Sequence, residues 1–156
     1  GFLTTYRSNA QEEAYRQFEI LAGTTFFIYD EPGWGVSGNI KLLLPVYKNN
    51  NYITIGITYD KLTEKSYGDK NNYTLVNISG SYRKMINNFF MGLQLGAGIY
   101  GEEGFSYTGF NSFLGFETGL YKNNLTFSFD YRYNAGDGFV FGEQFHLFTI
   151  KAGLRF

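Results

Sequence analysis

Glu117 and Asp130 are the residues with the best claim to acid–base chemistry, because two neighbouring carboxyl groups can split their pKa values and serve as acid and base. Both lie in segments that alternate apolar and polar residues. Arg132 shares the polar face of Asp130, and Lys151 lies on the polar face of a third such segment. Cations so placed hold both carboxylates ionised, which favours a structural ion network over a proton-transfer pair. His146 is the only histidine, so a histidine-rich metal site is excluded, and the absence of cysteine excludes disulfides and thiolate chemistry. The glycines between 92 and 104 precede no helix start and no Gly-Lys-Ser/Thr, so they do not form a phosphate cradle. Asp30, Glu31, Asp60, Glu64, Asp69, Glu102, Glu103, Asp137 and Glu143, set against Lys61, Lys65 and Lys70, fall in the longer connections. Carboxylates of this kind can take divalent cations shared with lipid phosphates, although a solvated acidic surface is the simpler reading. No catalytic residue, resident metal or cofactor is expected.

The elements that carry these residues follow from the alternation. A chain of 156 residues allows one domain, and 44% hydrophobic with 21% aromatic residues at a mean hydropathy of -0.24 requires apolar and polar residues to be interleaved. No stretch approaches the roughly 20 apolar residues of a membrane-spanning helix. The last nine residues show the rule: Phe148, Ile150, Ala152, Leu154 and Phe156 alternate with Thr149, Lys151, Gly153 and Arg155. Such a two-residue period turns one face to lipid and the other to a polar interior. Similar segments are expected at 17–29, 36–47, 52–60, 72–84, 89–100, 110–121 and 125–133, with Leu43 and Pro45 as imperfections in the second. Parity places Glu19, Lys41, Arg83, Glu117, Asp130, Arg132, Lys151 and Arg155 inside, with Lys41, Gln94, Glu117, Asp130 and Lys151 at mid-depth and Glu19, Arg83 and Arg155 low. An eight-stranded barrel is just wide enough for side chains to fill it, and mixed signs supply the partners that buried charges need.

The turns give the same count. Lys48-Asn49-Asn50-Asn51, Met85-Ile86-Asn87-Asn88 and Lys122-Asn123-Asn124 are tight and rich in asparagine, which tolerates left-handed backbone. They alternate with longer connections at 30–35, 61–71, 101–109 and 134–143. Short turns on one rim and longer loops on the other match periplasmic and extracellular sides, which puts both termini on the periplasmic rim. Tyr29, Trp34, Tyr47, Tyr52, Tyr59, Tyr82, Phe89, Tyr121 and Tyr133 cluster near strand ends, as interfacial aromatic belts do. The expected fold is all-β: an eight-stranded antiparallel up-and-down transmembrane barrel over 17–156, preceded by a short periplasmic segment over 1–16. In that segment Ser8-Asn9-Ala10-Gln11 with Glu12 and Glu13 resembles a helix start. With no initiator methionine or signal-peptide pattern, an exported chain is expected here in mature form.

This pattern resembles the small eight-stranded outer-membrane barrels of Gram-negative bacteria, the OmpA-transmembrane-domain and OmpX-like group, over nearly the whole chain. The resemblance implies residence in the outer membrane among its lipids and lipopolysaccharide. It also implies that the terminal strand, with Phe148, Ile150, Leu154 and Phe156, is the signal read by the assembly machinery. The group includes structural anchors, adhesins, small-molecule conduits and lipid-modifying enzymes. Its lipid A deacylases carry a histidine followed two positions later by serine, where this chain has His146 and then Phe148. The Asp-Ser pair of the palmitoyltransferase pattern is also missing. The expectation is therefore a non-enzymatic barrel with a structural or interaction role, alone or beside a larger outer-membrane complex. A narrow conduit is the alternative, and a lipid A-modifying enzyme the second alternative. The formal charge of -1 gives no reason to expect nucleic acid.

Overall fold

A computed structural model describes residues 16–28, 32–46, 50–66, 69–102, 108–136 and 144–156. They form eight antiparallel strands: β1 Gln17–Ile28, β2 Pro32–Val46, β3 Asn51–Ser66, β4 Asp69–Ile86, β5 Phe89–Glu102, β6 Thr108–Lys122, β7 Leu125–Gly136 and β8 Gln144–Arg155. Each pairs with its sequence neighbour, and β8 returns to β1, so the sheet closes with no free edge. Closure satisfies every ladder within the wall, a requirement for strands that cross hydrocarbon.

The register fixes the tilt. Directly paired residues lead from Leu44 through Ile53, Tyr82, Leu93, Phe116, Tyr131, Phe148 and Phe26 and return to β2 at Trp34, ten residues from the start. A stagger of this kind accompanies a strand tilt of roughly 40°. Every ladder step therefore climbs along the barrel axis, so residues facing one another across the lumen are rarely register partners.

The exterior is apolar over a continuous band. Ile57, Leu93, Phe110 and Ile150 are 57%, 71%, 70% and 66% exposed. Soluble monomers rarely expose a contiguous apolar patch beyond a few hundred Å², so this wall belongs in a bilayer. Among the described residues, the short-turn rim has left-handed backbone at Asn50, Asn87, Asn123 and Asn124. Asparagine tolerates that conformation through local hydrogen bonding of its short side chain.

The strands run further toward the long-connection rim than alternation suggests. β2 begins at Pro32 rather than 36, and β3 and β4 continue as a hairpin to Ser66 and Asp69, through the expected connection at 61–71. Beyond the hydrocarbon both faces of a strand can be polar, so pairing continues after the sequence contrast has faded. Tyr52 and Tyr121 are not belt residues. They share parity with Thr54 and Glu117, and their rings lie 5.7 and 4.0 Å from the Arg155 guanidinium at the lumen floor. Trp34, Tyr59, Tyr82 and Phe89 do face outward. Tyr29, Tyr47 and the expected helix start in 1–15 lie outside the described residues.

Candidate functional site

The lumen is built in layers. Near the short-turn rim, Arg83 of β4 reaches two carboxylates at once. Its Nη1 and Nη2 donate to Glu19 at 3.1 Å each, while its Nη2 and Nε donate to Glu117 at 2.9 and 3.2 Å. Arg83 and Glu117 sit on either side of Gly92 in one ladder row, and the missing side chain of that glycine lets the guanidinium cross β5. Lys41 adds a bond to Glu117 at 2.5 Å, and the Ser81 hydroxyl donates to the other Glu117 oxygen at 2.7 Å. Glu19 is the register partner of both Lys41 and Arg155, and the Arg155 Nε lies 3.5 Å from it. The Phe90 ring lies 4.0 Å from the Arg83 guanidinium.

Higher up, Arg132 holds Asp60 through two parallel bonds of 2.8 and 2.7 Å, and Lys151 pairs with Asp130. Above these ions, Asn111 donates to Asn77 at 3.0 Å and to Asn134 at 3.2 Å. The outer end is then filled by an apolar cluster of Phe27, Leu62, Tyr73, Leu75, Tyr100, Phe145 and Leu147.

All eight residues placed inside by parity are buried to 2% exposure or less. Their partners differ from those expected. Glu117 is held by Lys41 and Arg83, not by Arg132 or Lys151, and Arg83, although rooted low, ends at mid-depth. Glu117 and Asp130 are direct register partners, an arrangement that repels unless each carboxylate has its own cation, as each does here. Asp60, assigned by sequence to the acidic rim, lies fully buried inside, and Glu64 is buried and accepts a bond from the Tyr73 hydroxyl at 3.1 Å. Carrying the Thr54, Gly56, Thr58 parity one step further would have found Asp60. The buried charges among the described residues are then five carboxylates (Glu19, Asp60, Glu64, Glu117, Asp130) and five cations (Lys41, Arg83, Arg132, Lys151, Arg155). Of the remaining acidic residues, Asp30, Glu31, Glu103, Asp137 and Glu143 lie outside the described residues.

His146 is on the outer wall. Its Nδ1 lies 2.8 Å from the Tyr131 hydroxyl, and the two rings stack 5.9 Å apart. Phe148, two positions on, packs its ring 5.1 Å from that of Tyr131. Ile150, Leu154 and Phe156 continue along the same lipid-facing side of the terminal strand. Among the described residues no cluster of metal-ligating side chains occurs.

Solved structures match this architecture over almost its whole length. The Neisserial surface protein NspA superposes with a TM-score of 0.64 at 17% identity, covering 90% of this chain and 95% of that one. The chain carries the fold of the small eight-stranded outer-membrane barrels. The outer membrane enzyme PagL gives a TM-score of 0.57 at 8% identity, covering 90% of this chain and 99% of its own. Ail, the attachment invasion locus protein of Yersinia pestis, solved with the heparin analogue sucrose octasulfate, gives 0.50 at 14% identity and covers 90% and 99%. No protein-family model matches the chain, and neither does any curated protein.

Proposed function

We propose that this chain is a non-enzymatic barrel of the Gram-negative outer membrane with a structural or interaction role, alone or as a small subunit of a larger outer-membrane complex. Both termini lie on the periplasmic rim, and the terminal strand with Phe148, Ile150, Leu154 and Phe156 is the face offered to the assembly machinery. The observation that carries the reading is the filled lumen: paired ions below, an amide layer above them, and a greasy cluster at the outer end. A water-filled pathway would have to break several buried charge pairs and wet an apolar layer, both costly steps. The protein reconstituted in planar bilayers is therefore expected to give no single-channel steps, and discrete open levels would overturn the sealed-lumen reading.

One observation favours the conduit instead. The Asn39 amide, the Ser128 hydroxyl and one oxygen of Asp130 are buried without a protein partner, the condition under which interiors hold water. The bilayer measurement decides between the two readings.

The enzymatic reading rests on His146. On the outer wall it packs against Tyr131 and Tyr133 rather than against a serine nucleophile. Lipid A from cells expressing the protein or its His146→Ala variant is expected to have identical mass spectra. A mass change that depends on His146 would establish an enzyme. Binding of a sulfated sugar like that in the Ail complex is disfavoured by the acidic outer connections, where Asp30, Glu31, Glu102, Glu103, Asp137 and Glu143 repel a polyanion.

A further inference from the structure

The apolar wall carries a trough across β1 to β3. Ala22 and Gly38 stand side by side in the ladder, and above their small side chains lies a concavity of about 780 Å³. Phe18, Ile40, Ile55 and Tyr59 wall it. Phe18 marks its end toward the short-turn rim, and Arg16, exposed and immediately preceding β1, lies just beyond. The same rim carries exposed Lys84 at the end of β4 and Lys122 at the end of β6, and no aspartate or glutamate occurs in 46–51, 84–89 or 121–125. Arg16 therefore stands at the foot of a greasy groove, on a rim that also carries the exposed cations Lys84 and Lys122.

We propose that Arg16 and this trough form a site for one anionic phospholipid, its phosphate on the guanidinium and an acyl chain along the groove floor. Arginine presents two parallel donors that match phosphate oxygens, and the leaflet's negative headgroups complement the cationic rim. A second copy fits less well. In a two-fold dimer within one bilayer both Arg16 side chains would lie at the same depth beside the same interface, like charge against like. The site requires only that the short-turn rim lie at one bilayer surface, so it stands apart from the choice between scaffold and conduit. With the termini periplasmic, that leaflet is the phospholipid one.

Gly38 makes the site testable. A Cβ there would meet only the Leu21 carbonyl oxygen, at 3.6 Å, so a side chain can project into the trough without displacing the ladder. Native mass spectrometry of the detergent-released full chain is expected to show one retained phosphatidylglycerol. Phosphatidylethanolamine with the same acyl chains should bind about fivefold more weakly. Arg16→Gln should reduce phosphatidylglycerol binding to the phosphatidylethanolamine level, and Gly38→Phe should abolish retention of either lipid while unheated gel mobility stays that of the folded barrel. Equal binding of the two lipids, an Arg16→Gln variant that keeps the preference, or a Gly38→Phe variant that still retains lipid would overturn the proposal. So would a dimer that Gly38→Phe dissolves, which would assign the trough to a second copy. Arg16 lies on the rim outside every ladder, so its variant tests the proposal even if Gly38→Phe fails to fold.

Discussion

Replacing Arg83 with methionine is expected to lower the unfolding free energy of the barrel by about 3–5 kcal/mol, the loss typical when one partner of a buried ion pair is removed. Arg83 is fully buried and donates to both Glu19 and Glu117. Methionine preserves much of the volume, and the contact with Phe90 survives as packing. What it leaves is Glu19 with only the long Arg155 contact of 3.5 Å and the Thr126 hydroxyl at 3.3 Å. Glu117 retains Lys41 and Ser81, so most of the uncompensated charge falls on Glu19. Adding Glu19→Gln to Arg83→Met should therefore recover part of the loss, a coupling that a double-mutant cycle isolates. The measurement is reversible urea unfolding in micelles or bilayers, read at constant denaturant slope. A loss below about 1 kcal/mol would mean that these ions behave as a solvated surface pair, and the sealed-lumen reading would fall with it.

Parity alone assigned Lys41, Arg83, Glu117, Asp130, Arg132, Lys151 and Arg155 to the inside, because in a strand the next residue but one always returns to the same face. Their pairing was not legible. Partners meet across a tilted cylinder, and the ten-residue stagger that decides which layers align is a property of closure, not of any one segment. Arg83 meets Glu117 because Gly92 lies between them, a three-strand coincidence with no local signature. The apolar layer was hidden for a different reason. Polar-inside reasoning treats an apolar residue at inward parity as noise, and Leu43 reads as an imperfection. Yet Phe27, Leu62, Leu75 and Leu147 of that layer, and Leu43 nearer the short-turn rim, are all fully buried. In a barrel too narrow for a channel, inward positions are core positions, and apolar side chains fill them without needing partners.

The same tilt bears on the outer wall. Phe116, Tyr131, Phe148, Phe26 and Trp34 are successive register partners on five neighbouring strands, with ring centroids 5.6 Å apart between Phe116 and Tyr131, 5.1 Å between Tyr131 and Phe148, and 4.9 Å between Phe26 and Trp34. Because each ladder step climbs, this aromatic file rises from mid-wall to the long-connection rim rather than forming a level belt. Trp34, where an amphipathic indole suits the headgroup region, is its upper end. Sequence position near strand ends therefore picked out only part of the aromatic surface.

Gly153→Val is expected to prevent closure of the barrel, whereas Gly38→Val is expected to leave stability within about 0.5 kcal/mol. The two glycines lie on strands that both pair with β1, Gly153 at inward and Gly38 at outward parity. Their surroundings differ. A Cβ on Gly153 would fall 1.8 Å from the Ile20 carbonyl oxygen and 2.8 Å from the Leu21 Cα, which is backbone that no rotamer change can move aside. Gly23 is the reciprocal case on β1, where a Cβ would fall 1.8 Å from the Ile150 carbonyl oxygen. Both glycines face the lumen at the seam between the first and last strands, where the wall must curl to meet itself. A valine at 153 has to push β1 away from β8 and so strips the ladder that removes the two edges. Open edges in hydrocarbon leave backbone groups unpaired, each at several kcal/mol, so the penalty exceeds that of ordinary overpacking. The check is the mobility of unheated samples on a detergent gel: the compact folded band should disappear for Gly153→Val and Gly23→Val and persist for Gly38→Val. A compact band from Gly153→Val would mean that the seam tolerates a wider spacing, and the assignment of these two glycines to closure would be withdrawn.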